Sequence, residues 1–193
     1  MVAVAAVPSV PKERILAAGR RRFETYGYRR TSIAEIARDA GIAVGTVYRY
    51  FPGKEAVFLA VVEDVNDAWL AESRRALDGP GTATDRLQRL GAASIQFAAD
   101  NALITAIAMR DTDIVFAPLL ERIYDDMQRR NVAMIADVVR DGIREGSFRD
   151  VDPERTAYVL FVAGGILSLQ QVYPYAELMP VFETIVYQGL LKR

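Results

Sequence analysis

The sequence predicts an all-α protein, and three observations carry that reading. Apolar residues recur at spacings of three and four along nearly the whole chain. No stretch alternates apolar and polar residues between hairpin turns. Turn-forming residues, most plainly Asp78-Gly79-Pro80-Gly81, fall between the periodic segments. A first helix is expected from Pro11, a residue suited to the first helical position, to about Tyr26, where Gly27 stops it. Its apolar stripe is Ile15, Ala18, Phe23 and Tyr26. A second, short helix starts at Ser32, and Glu35 three residues on completes a capping box. A third runs from Val44 to Tyr50 and ends before Pro52, and a fourth runs from Gly53 to Leu77. Further helices are expected over 83–100, 103–115, 117–145, 153–172 and 177–191. Residues 1–10 are apolar, carry no basic side chain and are interrupted by Pro8, so they read as a disordered tail and not as a signal peptide. The expected division is that tail, an N-terminal three-helix unit over 11–55 and a larger C-terminal helical body over 56–193.

Composition narrows the chemistry. The 193 residues include no cysteine and no histidine. Disulfide and thiolate chemistry are therefore excluded, and the commonest general base and transition-metal ligand is missing. A di-iron helical bundle needs Glu-x-x-His pairs, which this chain lacks. No catalytic residue, metal ligand or cofactor is assigned, and a non-enzymatic function is expected, although a Ser or Lys nucleophile stays open. The longest uncharged apolar run, Ala157 to Leu169, is shorter than the roughly 18 residues that span a bilayer. No membrane partner and a cytoplasmic location are the resulting expectations. Net charge is −1 but unevenly placed. Residues 1–55 hold ten Lys or Arg against five Asp or Glu, for +5, which leaves −6 for the remainder. A basic head on an acidic body suits a polyanion at one end, and a chance surface imbalance is the alternative.

The stretch from Thr31 to Phe51 is the most informative. Ile33, Ile36, Ala37 and Ala40 lie at i, i+3, i+4 and i+7, so one face of the second helix packs inward. Gly41 follows at once, where a tight turn between helices favours positive φ. Ile42 and Val47 can plug the angle between the two helices. Two short helices at a steep angle, the second exposing polar groups, make a helix-turn-helix that offers a helix to the DNA major groove. Thr46, Tyr48, Arg49 and Tyr50 supply hydroxyls and a guanidinium for phosphate oxygens or base edges, and Phe51 is read as packing. Lys54 opens the fourth helix, where backbone amides already favour an anion, and Thr31 with Ser32 does the same at the second.

Residues 12–60 resemble the DNA-binding domain of the TetR family of bacterial regulators. The resemblance rests on Thr31-Ser-Ile-Ala-Glu-Ile-Ala, Ala40-Gly41, Gly45-Thr46-Val47-Tyr48-Arg49-Tyr50-Phe51 and Pro52-Gly53-Lys54-Glu55, with Phe23, Gly27 and Val57-Phe58 in support. Relatives often carry a polar or basic residue before the glycine matched by Gly45. Here it is Val44, which offers apolar contact to a thymine methyl. The resemblance implies operator DNA as partner, a homodimer built on the last two long helices, and a small-molecule effector pocket in the body. It also implies regulation of transcription, with repression the default.

Independently, Ala157 to Leu169 is apolar all round and needs burial on more than one side. A partner subunit could cover the second side, and Leu160, Gly164, Gly165, Leu167 and Ser168 are the candidates, with Phe182, Ile185 and Val186 from the final helix. An internal helix in a monomer is the alternative. The expected pocket draws on Trp69, Phe97, Ile104, Met109, Phe116, Tyr124, Met127 and Phe161, with Arg110, Gln128 and Asn131 as polar anchors. That mix suits an apolar or aromatic effector. A helical enzyme, a non-specific architectural protein and a ligand-free adaptor are the competing functions.

Overall fold

Turn chemistry sets the helix limits in the computed structural model, which describes residues 11–108, 117–168 and 175–191. The helices in chain order are α1 (Pro11–Arg30), α2 (Ile33–Ala40), α3 (Val44–Tyr50), α4 (Lys54–Leu77) and α5 (Ala83–Asp100). They continue as α6 (Ala102–Ala108), α7 (Ala117–Arg144), α8 (Pro153–Ser168) and α9 (Tyr175–Leu190). Among the described residues the sole non-helical pairing is an isolated bridge between Phe148 and Leu191. The expected all-α class holds. Helix limits agree within two residues, except at α1 and where 109–115 and 169–172 lie outside the described residues.

The difference at α1 has a clear cause. Gly27 does leave the helix, at φ 74° and ψ 168°, but the chain turns helical again to Arg30, so the glycine kinks α1 instead of ending it. Tyr26 is displaced from the expected apolar stripe. It is 46% exposed, with the Arg22 guanidinium 4.9 Å above its ring, while Ile15, Ala18 and Phe23 are buried.

The α2–α3 unit is closed by local hydrogen bonds. Ser32 Oγ accepts from the Glu35 amide at 3.3 Å, and the Glu35 carboxylate accepts from the Ser32 amide at 2.9 Å. Gly41 ends α2 in the left-handed region, φ 64°, and the Ile42 amide reaches back to the Ala37 carbonyl at 3.0 Å. Arg22 on α1 braces the unit from behind by pairing with Asp39 and Glu35. The Ser32 hydrogen bonds hold the Glu35 carboxyl below the usual range, and Arg22 does the same for Asp39.

Two apolar clusters form the core. The first joins Ile15 and Phe23 of α1, Ile36 of α2, Val47 of α3 and Val57 to Val65 of α4 to Leu103, Ala106 and Met127. Its centre is aromatic: the Phe23 and Phe58 rings meet edge to face at 5.1 Å, as do Tyr28 and Phe58. Packing therefore runs without a break through the expected boundary at residue 55. The second cluster gathers Leu70 and Leu77 of α4, Leu87 and Leu90 of α5, Met134 to Val139 of α7, Phe148, Ala157 and Leu190. Arg86 locks the start of α5 to the end of α7 through Asp141 at 2.8 Å and Glu145 at 2.9 Å. Phe148 folds back over Gly142, and Arg149 donates its amide to the Leu190 carbonyl at 2.9 Å. The α7–α8 corner is thereby tied to the end of α9.

Two outcomes follow from this packing. A β-carbon at residue 142 would lie 2.2 Å from the buried Phe148 ring, with no room for it to retreat. Gly142→Ala should cost about 1–3 kcal/mol in urea unfolding, as other overpacked cores do. A wild-type midpoint would refute the close approach. Carboxyls depressed in the folded state stabilise fully above their unfolded pKa values, and that contribution is lost as pH falls through the folded ones. Stability should therefore drop between about pH 5 and pH 3, and Glu35→Gln with Asp39→Asn should flatten that part of the profile. Parallel wild-type and variant profiles would show that the brace does not titrate.

Candidate nucleic-acid interface

α3 is seven residues long and turns one side inward. Val47 is fully buried, whereas Val44, Tyr48, Arg49 and Tyr50 are exposed and Thr46 is half-buried. Tyr48, at 54%, is among the most exposed large apolar side chains described. Beyond its own turn of helix, nothing comes within 4 Å of where a β-carbon on Gly45 would sit, so a partner can approach the backbone there. Phe51 is buried, as its reading as a packing residue requires. One short helix thus presents two phenols, a guanidinium, a hydroxyl and a valine around a bare backbone. Those groups can bond phosphate oxygens, donate to purine acceptors and touch a thymine methyl.

Two of the expected contact residues are engaged within the head. Thr31 is 2% exposed, and its hydroxyl donates to the Gly27 carbonyl at 2.9 Å, at the kink. Lys54 is not a free cation. Its ammonium donates to the Tyr28 carbonyl at 2.8 Å and lies 4.3 Å above the Tyr28 ring. Burial pushes that ammonium below the usual lysine range, with the Glu35 carboxylate acting the other way. Lys54 therefore fixes the start of α4 to the end of α1. Ser32 stays exposed, but its hydroxyl is engaged in the capping box.

Part of the head's basic charge is engaged within it. Arg14 donates to the Gly41 carbonyl at 3.1 Å, Arg20 pairs with Glu24 at 3.0 Å, and Arg22 pairs with Asp39 and Glu35. Lys12, Arg21, Arg29 and Arg49 are exposed. Arg29, just before the first turn of α2, is a candidate the sequence reading missed. The +5 count pointed to it, but charge counting does not separate structural from available cations. Among the described residues, no group of His, Cys, Asp or Glu side chains could hold a metal ion.

Among the described residues, the expected pocket side chains divide between the two clusters. Trp69 and Phe161 meet edge to face at 6.1 Å against the second cluster. Phe97, Ile104 and Met127 belong with the first. Gln128 donates to the Tyr124 hydroxyl at 3.1 Å, and Met109, Arg110 and Phe116 lie outside the described residues. Asn131 is buried and donates at 3.2 Å to Asn66, a residue the sequence reading passed over. An amide at an inward position of α4, between Val65 and Trp69, was the signal available.

On the body, Tyr158 and Val159 of α8 and Val181 and Ile185 of α9 are exposed. Of the expected dimer residues, Ile185 and Gly165 are exposed, and Gly164, Phe182 and Val186 are half-buried. Leu160 is half-buried and packs against the second cluster. The side chains of Leu167 and Ser168 lie outside those described. Among the described residues, no helix is long and apolar enough to cross a membrane.

Comparison with known proteins agrees with this geometry. Residues 15–61 match the bacterial regulatory proteins of the tetR family, and residues 80–166 match the tetracyclin repressor-like C-terminal domain. The chain is 24% identical over 181 residues to the HTH-type transcriptional regulator YhgD of Bacillus subtilis, covering 94% of this chain and 92% of that protein. It is 26% identical over 179 residues to the HTH-type transcriptional repressor KstR2 of Mycolicibacterium smegmatis, covering 86% of each. The crystal structure of the regulator FadR from Bacillus subtilis, in complex with stearoyl-CoA, superposes with a TM-score of 0.76 at 17% identity, over 92% of this chain and 98% of that one. The chain belongs to the TetR family of bacterial regulatory proteins and is a DNA-binding transcriptional regulator.

Proposed function

We propose that α3 is laid in the major groove of operator DNA by residues 11–55, and that a small apolar or aromatic effector bound in the body, residues 56–193, releases it. The observation that carries the reading is the exposed face of Val44, Thr46, Tyr48, Arg49 and Tyr50 around the buried Val47. Arg49 reads a base edge or a phosphate, Tyr48 and Tyr50 bond phosphates, and Val44 meets a thymine methyl. Ser32 contributes backbone position at the mouth of α2, and Lys54 positions the head without touching DNA. The default is repression, as for the KstR2 relative, and the protein acts in the cytoplasm as a regulator and not a catalyst. The stearoyl-CoA bound by the FadR structure supports an apolar effector class.

The proposed assembly is a twofold homodimer across α8 and α9. Tyr158, Val159, Val181 and Ile185 form apolar surface that a soluble chain covers by self-association, and Gly165 leaves room for it. Coupling runs along two routes. α4 carries Lys54 at its head end and Trp69 in the body, and its 24 residues make a rod of about 36 Å. Arg20 of α1 bonds Asn101, the buried cap between α5 and α6, whose amide also donates to the Phe97 carbonyl. An effector that prefers the released arrangement by about 1–3 kcal/mol lowers DNA affinity roughly 5- to 150-fold, and operator DNA weakens the effector equally.

Selection of bound sequences from a random duplex pool tests the core of this reading. One enriched pseudo-palindromic site is expected, and recovery of no preferred sequence would overturn it. On that site Arg49→Ala should cost about 1–3 kcal/mol if the guanidinium reads a guanine, and should reduce the log–log salt slope by about one unit if it meets a phosphate. Lys54→Met should lower affinity with the salt slope unchanged, since its charge is engaged with Tyr28. A slope reduced by the Lys54 change would return that residue to the DNA contacts. For assembly, Ile185→Asp should convert the dimer to monomer in sedimentation and abolish operator binding. A monomeric wild type at micromolar concentration would refute the interface.

A further inference from the structure

Asn66 of α4 and Asn131 of α7 face each other where the two apolar clusters meet. On α4, Val62 and Val65 belong to the first cluster while Trp69 and Leu70 belong to the second. On α7, Met127 belongs to the first and Met134 to the second. Both asparagines are more than nine-tenths buried. The Asn131 amide donates to Asn66 Oδ1 at 3.2 Å, which leaves Asn66 Nδ2 and Asn131 Oδ1 without a partner among the described residues. Turning both amides over exchanges which residue carries the unused N–H and which the unused C=O, but one of each always remains.

A buried donor and a buried acceptor left unbonded on two paired amides are costly, and natural interiors keep few of them. Helix register does not require the pair. On the solvent side of the same two helices, Arg130 bonds Asp67 at 3.0 Å, and apolar packing flanks the asparagines on both sides. Among the described residues, no ionised side chain is buried in the two clusters.

We propose that Asn66 and Asn131 bind the polar head of the effector, and that this head is a neutral group able both to accept and to donate a hydrogen bond. A hydroxyl or a carboxamide on an apolar frame satisfies both unused atoms. A carboxylate or an ammonium meets only one of them and loses its hydration without a counter-charge. The proposal rests on the reading that the body takes an effector, and it specifies that ligand's chemistry.

Trp69, the single tryptophan, stands one helical turn from Asn66 and reports on the site. Its fluorescence would be titrated with octanamide, 1-octanol, octanoate and octylammonium. The amide and the alcohol should give saturable changes at concentrations at least about tenfold below those of the two ions. In Asn66→Leu/Asn131→Leu the advantage of the amide over the ions should vanish, while thermal stability should be no lower, because an incompletely bonded amide pair is replaced by apolar side chains. Should that variant fail to fold, Asn66→Ala carries the same readout. Octanamide bound equally by wild type and variant would overturn the proposal. So would the absence of any response up to about 1 mM, which would leave the pair to a buried water only. Selection of a DNA site by the wild type, measured in parallel, keeps this failure distinct from failure of the regulatory reading.

Discussion

A helix of seven residues cannot hold itself in water, and the proposed interface depends on how α3 escapes that limit. Its side chains make no cap at the N-terminus, where Ala43 stands, so the helix exists because Val47 and Phe51 are buried. They enter the core that holds Phe23 of α1 and Phe58 of α4. Everything that fixes α2 against α1 therefore also fixes the exposed face of α3. The left-handed Gly41, the Arg14 bond to its carbonyl and the Arg22 brace belong to one device. Its product is a rigid row of side chains, which groove recognition needs more than it needs raw charge.

The same dependence explains which features could be read from the sequence. The capping box of Ser32 and Glu35 and the turn at Gly41 were readable because their partners lie within a few residues, so local spacing determines them. The inward face of α2 was readable for the same reason. Thr31, Tyr26 and Lys54 were not, because their surroundings depend on a single backbone event. Gly27 leaves the helix without ending it, which brings its carbonyl to Thr31 and the Tyr28 carbonyl to Lys54, while Tyr26 before it is exposed. A glycine after an amphipathic run signals an interruption, but not whether the chain afterwards turns away or resumes helix. Charge carried a similar ambiguity, since an arginine that braces a fold and one that awaits a phosphate count alike.

In the body, sequence periodicity placed the helices within two residues wherever they can be compared, yet gave little of the candidate pocket. Aromatic and methionine side chains at helical spacing are consistent with packing and with lining a cavity, and most of those described turn out to pack. Polar residues discriminate better. Asn66 was the more informative residue, because an amide inside an apolar stripe has to be explained by a partner. It was passed over because a single amide is a small signal beside neighbouring valines, a tryptophan and a leucine.

The two-cluster core gives a physical reason for effector and DNA to communicate. α4 belongs to both clusters, Val57 to Val65 in one and Leu70 to Leu77 in the other, and the asparagine pair sits where they meet. Close-packed clusters resist internal rearrangement, whereas a polar seam with unused hydrogen-bonding groups is where one can shift against the other at least cost. A ligand bound at the seam would act on the relative placement of the clusters, not on the interior of either. The first cluster includes α3 through Val47, and Arg20 joins α1 to the α5–α6 cap. A displacement at the seam would thus reach the exposed face of α3 through rigid parts. Such coupling needs no melting of the head, only a choice between two packings of α4 that effector and operator favour in opposite senses.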